Sequence, residues 1–366
     1  MKKTVAVIFG GQSSEHEISR TSAQSIVQNI DYEKYNVVKI GITKNGKWLN
    51  YEGPNEKISD GSWLELAEKN ISHIDIDKKG ITARDLFRMC GAESDDRKID
   101  VVFPVLHGLN GEDGTIQGLF ELSGMPYVGC GVLASCVCMD KAYAKIVFEK
   151  NNIPQGKYIT INRYQINKDL SSIIAKAENE LSYPCFIKPS NAGSSVGISK
   201  AKNQRELIQG IKNAMNFDRR ILIEEYIDGQ EIECAVLGND DPKASVLGEI
   251  IPCNEFYDYS AKYIDNASKT IIPANLPEDI TNKVKIYALE AFKALDCSGL
   301  SRVDFFVERK TRKILINEIN TLPGFTSISM YPKLWEAAGI PYTKLLDQLI
   351  ELAFERFESG KREINI

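Results

Sequence analysis

Two carboxylates and an amide, Asp304, Glu318 and Asn320, stand where they can hold a hard cation. Residues 302–308 are rich in β-branched and aromatic types and predict a strand; 309–312 form a polar turn, and 313–319 predict the returning strand. A turn centred on Thr311 places Asp304 opposite Glu318, and Asn320, two residues further on, shares their face. Phe306 and Ile316 are expected on that face too, so it is not an ordinary solvated one. Like charges directly opposed destabilise a sheet, and a divalent cation removes the repulsion. Oxygen donors of this kind suit Mg²⁺, which keeps water and substrate phosphates as its other ligands. A pair of solvated acids on an edge hairpin is the competing reading of these residues alone.

Phosphate-binding candidates lie upstream. Residues 188–197, Lys-Pro-Ser-Asn-Ala-Gly-Ser-Ser-Val-Gly, link two predicted strands through a loop whose backbone N–H groups and hydroxyls can approach phosphates closely. The loop lacks the P-loop spacing and leads into a strand, and a flexible hairpin loop is the alternative. Lys188 ends a buried strand, where an inward ammonium needs an anion. Lys141, on the preceding helix, is either a second phosphate ligand or a surface lysine. Residues 224–231, Glu-Glu-Tyr-Ile-Asp-Gly-Gln-Glu, can offer backbone groups to an adenine edge and Glu231 to ribose hydroxyls, or form an ordinary acidic turn. The aromatic stretch 256–263 reads as a lid loop, with tyrosines packed in the core as the alternative. Glu15 follows Gly10-Gly-Gln-Ser-Ser and opens a helix, but without G-x-G-x-x-G the dinucleotide reading is weak. Glu15 is either a dipole-compatible acid or a partner for a substrate ammonium. His107 stands at the carboxyl end of a strand, where α/β sheets bind ligands, although a lone histidine is more often structural than catalytic.

The elements that must position these groups alternate in the first third. Strands at 4–9, 37–42 and 101–106 with helices at 15–30 and 114–123 predict a parallel sheet with crossover helices. Residues 45–93 have weak periodicity and suggest a peripheral insertion. Next come helices at 141–150 and 170–181 and strands at 185–188 and 196–201. Strands at 221–225 and 231–237, a helix at 281–295, the carboxylate hairpin and a helix at 342–357 complete the chain. The expected organisation is α/β and α+β, in domains 1–128, 129–222 and 223–366 that share a cleft.

At 366 residues the chain exceeds one ordinary core. Its hydrophobic share of 43% and charged share of 26% are those of a soluble globular protein. A net charge of -5 gives no reason to expect nucleic acid or an acidic membrane surface as partner. No run of about 18 apolar residues predicts a membrane span, and the apolar run at the N-terminus is too short for a signal peptide, so a cytoplasmic location is expected. Cys136 and Cys138 are close together but lack zinc-site spacing, and the scattered cysteines read as reduced thiols. With only His16, His73 and His107 available, carboxylate-held Mg²⁺ fits the inventory better than a histidine metal site.

Together these segments resemble the D-alanine–D-alanine ligase family of the ATP-grasp superfamily, in order and over nearly the whole chain. The resemblance rests on Gly10-Gly-Gln-Ser-Ser-Glu-His-Glu-Ile-Ser19, His107-Gly108 with Gly111-Glu-Asp-Gly-Thr115, and Met139-Asp-Lys141. It continues through Lys188-Pro with Gly193-Ser-Ser-Val-Gly197, Phe256-Tyr-Asp-Tyr with Ala261-Lys-Tyr263, Arg302-Val-Asp304, Asn317-Glu-Ile-Asn-Thr and Pro323-Gly-Phe-Thr326. It implies an N-terminal Rossmann-like domain and two ATP-grasp domains with the nucleotide between them. By the family's pattern, Lys141 and Lys188 bind ATP phosphates with Ser194 and Ser195 of the loop, and Glu224, Glu225, Ile227 and Glu231 line the adenosine site. Asp304, Glu318 and Asn320 hold two Mg²⁺ ions, with Mn²⁺ as a substitute. Glu15 binds the first D-alanine's ammonium near His107, and Arg302 with the Gly324 N–H stabilises the oxyanion. Lys262 and Ser329 hold the second carboxylate beside Met330, and Glu15, Ser194 and Tyr263 link the lid to the site.

The implied activity is ADP-forming ligation of two D-alanines through an acyl phosphate for peptidoglycan precursors, by a homodimer. A related D-serine type tends to carry Glu-Lys-Tyr in the lid and Arg after the second-site Ser. Here Ala261-Lys-Tyr263 and Ser329-Met330 favour D-alanine, with D-alanine–D-serine ligation as the alternative. A non-catalytic nucleotide or amino-acid binding protein would be signalled by loss of a metal ligand or phosphate lysine, and none is lost. An NAD-dependent oxidoreductase is disfavoured by the missing glycine fingerprint.

Overall fold

The computed structural model describes residues 2–69, 85–89, 92, 98–251 and 269–362. The expected lid at 256–263, with Lys262 and Tyr263, lies outside the described residues, as does much of the insertion expected at 45–93. The first third contains β1 (Lys3–Gly10), α1 (His16–Asn29), β2 (Tyr35–Ile42), β3 (Trp48–Tyr51), α2 (Glu56–Asp60), α3 (Trp63–Lys69), α4 (Asp85–Met89), β4 (Val101–Val105) and α5 (Thr115–Leu122). β1 is buried along all but its first residue, as a central strand covered on both faces must be. It pairs in parallel with β2 and β4, as the alternation predicts. β3, absent from the sequence reading, adds an antiparallel edge to β2. Where β1 turns toward α1 only glycine fits: Gly10 has φ +92° and a Cβ there would lie 2.2 Å from the Ile42 carbonyl oxygen.

The second unit comprises α6 (Val132–Met139), α7 (Lys141–Lys150), β5 (Tyr158–Asn162), α8 (Arg163–Lys168), α9 (Leu170–Glu180), β6 (Cys185–Pro189), β7 (Ser199–Ala201), α10 (Gln204–Ala214) and β8 (Arg220–Glu225). Its sheet has the order β5-β8-β6-β7, antiparallel throughout. β7 is shorter than the expected strand at 196–201, because Ser194, Ser195 and Gly197 take positive φ values of 49°, 60° and 74°. The boundary expected between residues 222 and 223 would divide β8, whose pairing with β5 and β6 keeps the whole strand in this sheet. Asp140 caps α7 by accepting from the Ala142 and Tyr143 N–H groups, which sets Lys141 at the helix's first position.

The last unit contains β9 (Gly229–Gly238), β10 (Lys243–Ile251), β11 (Lys269–Ile271), α12 (Glu278–Ala294), β12 (Gly299–Glu308), β13 (Ile314–Asn320), α13 (Met330–Ala337) and α14 (Tyr342–Ser359). Its sheet order is β11-β10-β9-β12-β13. Along β12, Val303, Phe305 and Val307 are buried in a cluster with Val284, Ala288 and Phe292 of α12. The alternate residues Arg302, Asp304 and Phe306 are left on the opposite, half-exposed face. The predicted hairpin register holds for Arg302↔Asn320, Val303↔Ile319 and Asp304↔Glu318. Beyond Asp304 it shifts by one: Phe305 pairs with Ile316 and Phe306 with Leu315, leaving Asn317 as the extra residue of a bulge. Phe306 is therefore not opposite Ile316, as a regular hairpin would have it. α14 packs against α1, β4, β9 and β12, so one buried cluster joins the first and last units.

Candidate active site

The three units meet at a cleft of about 420 Å³, lined by Glu15, His107, Glu112, Lys141, Lys145, Lys188, Ser194, Ser195, Glu224, Glu225, Ile227, Glu231, Arg302, Asn317, Glu318, Asn320 and Gly324 among others. A row of carboxylates crosses three strands at its edge: Glu233 of β9 pairs with Asp304 of β12, and Asp304 pairs with Glu318 of β13; of these Glu318 lines the cleft, while Asp304 and Glu233 are not among its lining residues. The Arg302 guanidinium lies among them, donating from Nε to Asp304 Oδ1 at 2.8 Å and from a terminal nitrogen to Asp304 Oδ2 at 2.7 Å. Its Nε is also 3.1 Å from Glu233 Oε2, and Asn320 Nδ2 donates to Asp304 Oδ2 at 3.0 Å. The predicted platform is thus assembled on one face, with its central acid held by arginine. Among the described residues no group of three His, Cys, Asp or Glu residues is placed to hold a metal by itself. Asp304, Glu318 and Asn320 supply two carboxylates and an amide.

Facing this row is a wall of lysines. Lys141 donates to the Ala192 carbonyl at 2.8 Å and stands 3.7 Å from Glu318 Oε2, with its side chain 13% exposed, so the surface-lysine alternative is overturned. Lys188 lies 2.6 Å from Glu224 Oε2 and donates to Asn317 Oδ1 at 3.3 Å, reaching the bulge of β13. Burial would raise the Glu224 carboxyl, but Lys145 and Lys188 outweigh it and hold the group down to about 2. Lys145, at 2.7 Å from Glu224 Oε1, was not foreseen as a site residue. The signal was present: Lys145 is four positions from Lys141, on the same helix face.

At the other end of the cleft Ser194 donates to Glu15, which joins the Ser-rich loop to the start of α1. This is the part of the predicted Glu15–Ser194–Tyr263 link that falls within the described residues. His107 is fully buried, and burial lowers its imidazole's pKa. Its Nδ1 is 3.1 Å from the Leu322 carbonyl, an acceptor only, so Nδ1 carries the proton. Nε2 then accepts from Ser22 Oγ at 3.2 Å, and Ser22 Oγ accepts in turn from the Phe325 N–H at 3.3 Å. Both ring nitrogens are thereby occupied by protein groups, and the histidine braces the loop that presents Gly324. Glu112, also unforeseen as a ligand, accepts from the Gly108 N–H at 2.6 Å. Burial, and then the nearby Glu15 carboxylate, raise Glu112 to about 8.

The remaining predicted residues divide. Ser195, Ile227, Glu231 and Gly324 line the cleft. Glu225 also lines it, and its Oε1 accepts from the Lys157 N–H at 2.7 Å, pinning the start of β5. Ser329 and Met330 are not among the cleft-lining side chains of the described residues: Ser329 Oγ accepts from the Thr326 N–H at 3.0 Å, and Met330 is 6% exposed in the core near Gly248. Asn317 and Glu233 complete the residues the sequence reading passed over. Asn317 needed the bulge to be known, whereas Glu233 alternates with Glu231 along one strand face.

Comparison with known proteins agrees with this geometry. Family models described as D-ala D-ala ligase N-terminus and C-terminus match residues 4–130 and 147–351. A D-alanine–D-alanine ligase of Ruminiclostridium cellulolyticum is 59% identical over 99% of this chain and 98% of its own length. One of Acetivibrio thermocellus is 58% identical, again over 99% and 98%. Among solved structures, the VanG D-Ala:D-Ser ligase of Enterococcus faecalis superimposes with a TM-score of 0.84 at 40% identity, covering 96% of this chain and 100% of that one. The D-alanine–D-alanine ligase of Coxiella burnetii gives 0.82 at 38% identity, over 98% and 95%. The fold is accordingly the ATP-grasp fold that the motifs imply. On matches that span nearly all its length, the chain belongs to the D-alanine–D-alanine ligase family.

Proposed function

We propose that this chain is an ADP-forming ligase that joins two D-alanines for peptidoglycan precursor synthesis. One observation carries the reading: Lys141 and Lys188 line a single cleft together with Glu15 and with Glu318, the cross-strand partner of Asp304. Phosphoryl transfer needs charge neutralisation and alignment more than covalent help from the protein. The lysines bind the triphosphate, and residues 224–231 flank the adenosine. Glu15 takes the ammonium of the first D-alanine, whose carboxylate oxygen attacks the γ-phosphorus to give an acyl phosphate and ADP. The second D-alanine's amine attacks the acyl carbon, a C–N bond forms, and the C–O bond to phosphate breaks as the amine's proton leaves. Arg302 and the Gly324 N–H face the oxyanion of that tetrahedral intermediate.

The donors fit Mg²⁺: two opposed carboxylates and an amide oxygen are hard ligands, with Arg302 holding Asp304 and Lys141 standing near Glu318. When bound, two Mg²⁺ ions, or Mn²⁺ in their place, neutralise charge on the phosphates. Lys262 and Ser329 hold the second carboxylate, Tyr263 extends the Glu15–Ser194 bond as the lid closes, and lid closure keeps water from the acyl phosphate. A homodimer in the cytoplasm accompanies this reading on the family resemblance. D-Serine as second substrate is the rival reading, favoured by the likeness to the VanG ligase, whereas Ala261, where the D-serine type tends to carry Glu, supports D-alanine. The test offers purified protein D-alanine, D-serine and D-lactate together with ATP and Mg²⁺, and identifies products by mass. D-Alanyl-D-alanine with stoichiometric ADP is expected. Product dominated by D-alanyl-D-serine overturns the second substrate, and no D-amino-acid-dependent phosphate release overturns the ligase.

A further inference from the structure

Glu224 is held by two lysines where one would neutralise it. Lys188 reaches Oε2 from β6 at 2.6 Å, and Lys145 reaches Oε1 from α7 at 2.7 Å. Lys145 is the more deeply buried, with its side chain 4% exposed against 14% for Lys188. Its ammonium lies over the Tyr158 ring at 5.2 Å, and its backbone carbonyl accepts from Gln155 Nε2 at 2.8 Å, so it is fixed on several sides. A buried ammonium is unfavourable unless paired, and its pairing here leaves the triad with one excess positive charge.

We propose that Lys145 is a positioning residue that keeps Glu224 neutralised while Lys188 exchanges it for a nucleotide phosphate. With a single lysine, moving Lys188 to a phosphate would strand a buried carboxylate, and that penalty would oppose nucleotide binding. With Lys145 in place Glu224 keeps a partner throughout, and Lys188 can pivot between Glu224, Asn317 and the ligand. The depressed pKa of Glu224 agrees with a carboxylate that stays ionised between two cations. The inference rests on reading the cleft as an ATP site.

The test is calorimetric binding of ATP and, separately, adenosine to the full chain, its K145M variant and its K145R variant. In K145M, ATP affinity is expected to fall by on the order of tenfold or more while adenosine affinity is unchanged, because only phosphate binding requires Lys188 to leave Glu224. K145R keeps the charge and is expected to restore most of the ATP affinity. Adding E224Q to K145M removes the charge that pins Lys188 and is expected to raise ATP affinity above that of K145M alone. Should K145M fail to fold by circular dichroism, K145Q, which keeps a donor to Glu224, carries the same comparison. Equal losses for both ligands, unchanged ATP affinity in K145M, or an ATP affinity as low in the double variant as in K145M each overturn the proposal. A wild-type chain that does not bind ATP overturns instead the nucleotide reading on which it rests.

Discussion

Replacing Glu112 with Gln isolates the energetic consequence of a half-buried carboxyl in the cleft wall. Burial and the Glu15 carboxylate raise Glu112 from 4.5 to about 8 in the folded chain. Below pH 4.5 both folded and unfolded forms hold the proton, and the group carries no penalty. Between pH 4.5 and about 8 only the unfolded chain releases it, so the unfolded state binds fewer protons and wild-type stability falls as pH rises, by about 1.4 kcal/mol per unit. At pH 7 the loss spans roughly two and a half units, on the order of 3 kcal/mol, and above pH 8 it levels off. Gln has no such proton to lose, and its amide oxygen can still accept from the Gly108 N–H. The stability of E112Q minus that of wild type is therefore expected to grow steadily from pH 5 to pH 8 and then flatten. Urea unfolding of both proteins at constant ionic strength, without ligands, measures it. A difference that is constant over that range, or that shrinks with rising pH, refutes the assignment of a raised, proton-holding Glu112.

Glu318→Gln should lower turnover by at least on the order of tenfold at saturating ATP, because the proposed metal ligand is weakened while the lysines proposed to bind phosphates remain; an unchanged rate across a Mg²⁺ titration would argue against ligation. Phe325 is 1% exposed, and its ring lies 6.1 Å from Phe103, 5.5 Å from Tyr331 and 6.1 Å from Tyr342, so it joins β4 to α13 and α14. Phe325→Ala is expected to destabilise by about 3–5 kcal/mol in denaturant unfolding, and a loss below about 1 kcal/mol would show that the joint carries little.

Much of the framework was legible because its signals are local. β1, β2 and β4 announced themselves as apolar runs separated by crossover helices, and the structure pairs them in parallel. The hairpin's partners lie within one short turn of each other, so Asp304 and Glu318 could be matched before any tertiary contact was known. Four-residue β3 and three-residue β11 carry too little periodicity to be recognised, and their pairing depends on neighbours already in place. The bulge at Asn317 escaped for a related reason. A one-residue slip changes no residue type, only which neighbour each side chain meets.

The amino-acid order thus supplied the donor and acceptor types of the cleft, the local register that opposes two acids, and the motifs that mark the family. Folding supplied the environments. Lys141 and Lys145 share a helix face in any helix, yet whether they meet solvent or carboxylates depended on β8 and β13 arriving from distant parts of the chain. Glu112 holds a proton because the fold desolvates it and brings the Glu15 carboxylate beside it, and His107 has both nitrogens occupied because Leu322, more than two hundred residues away, packs against it. Residue identity is written in the chain. Desolvation and charge pairing act through space, so only the packed structure could decide which acids stay charged and which lysines face the cleft.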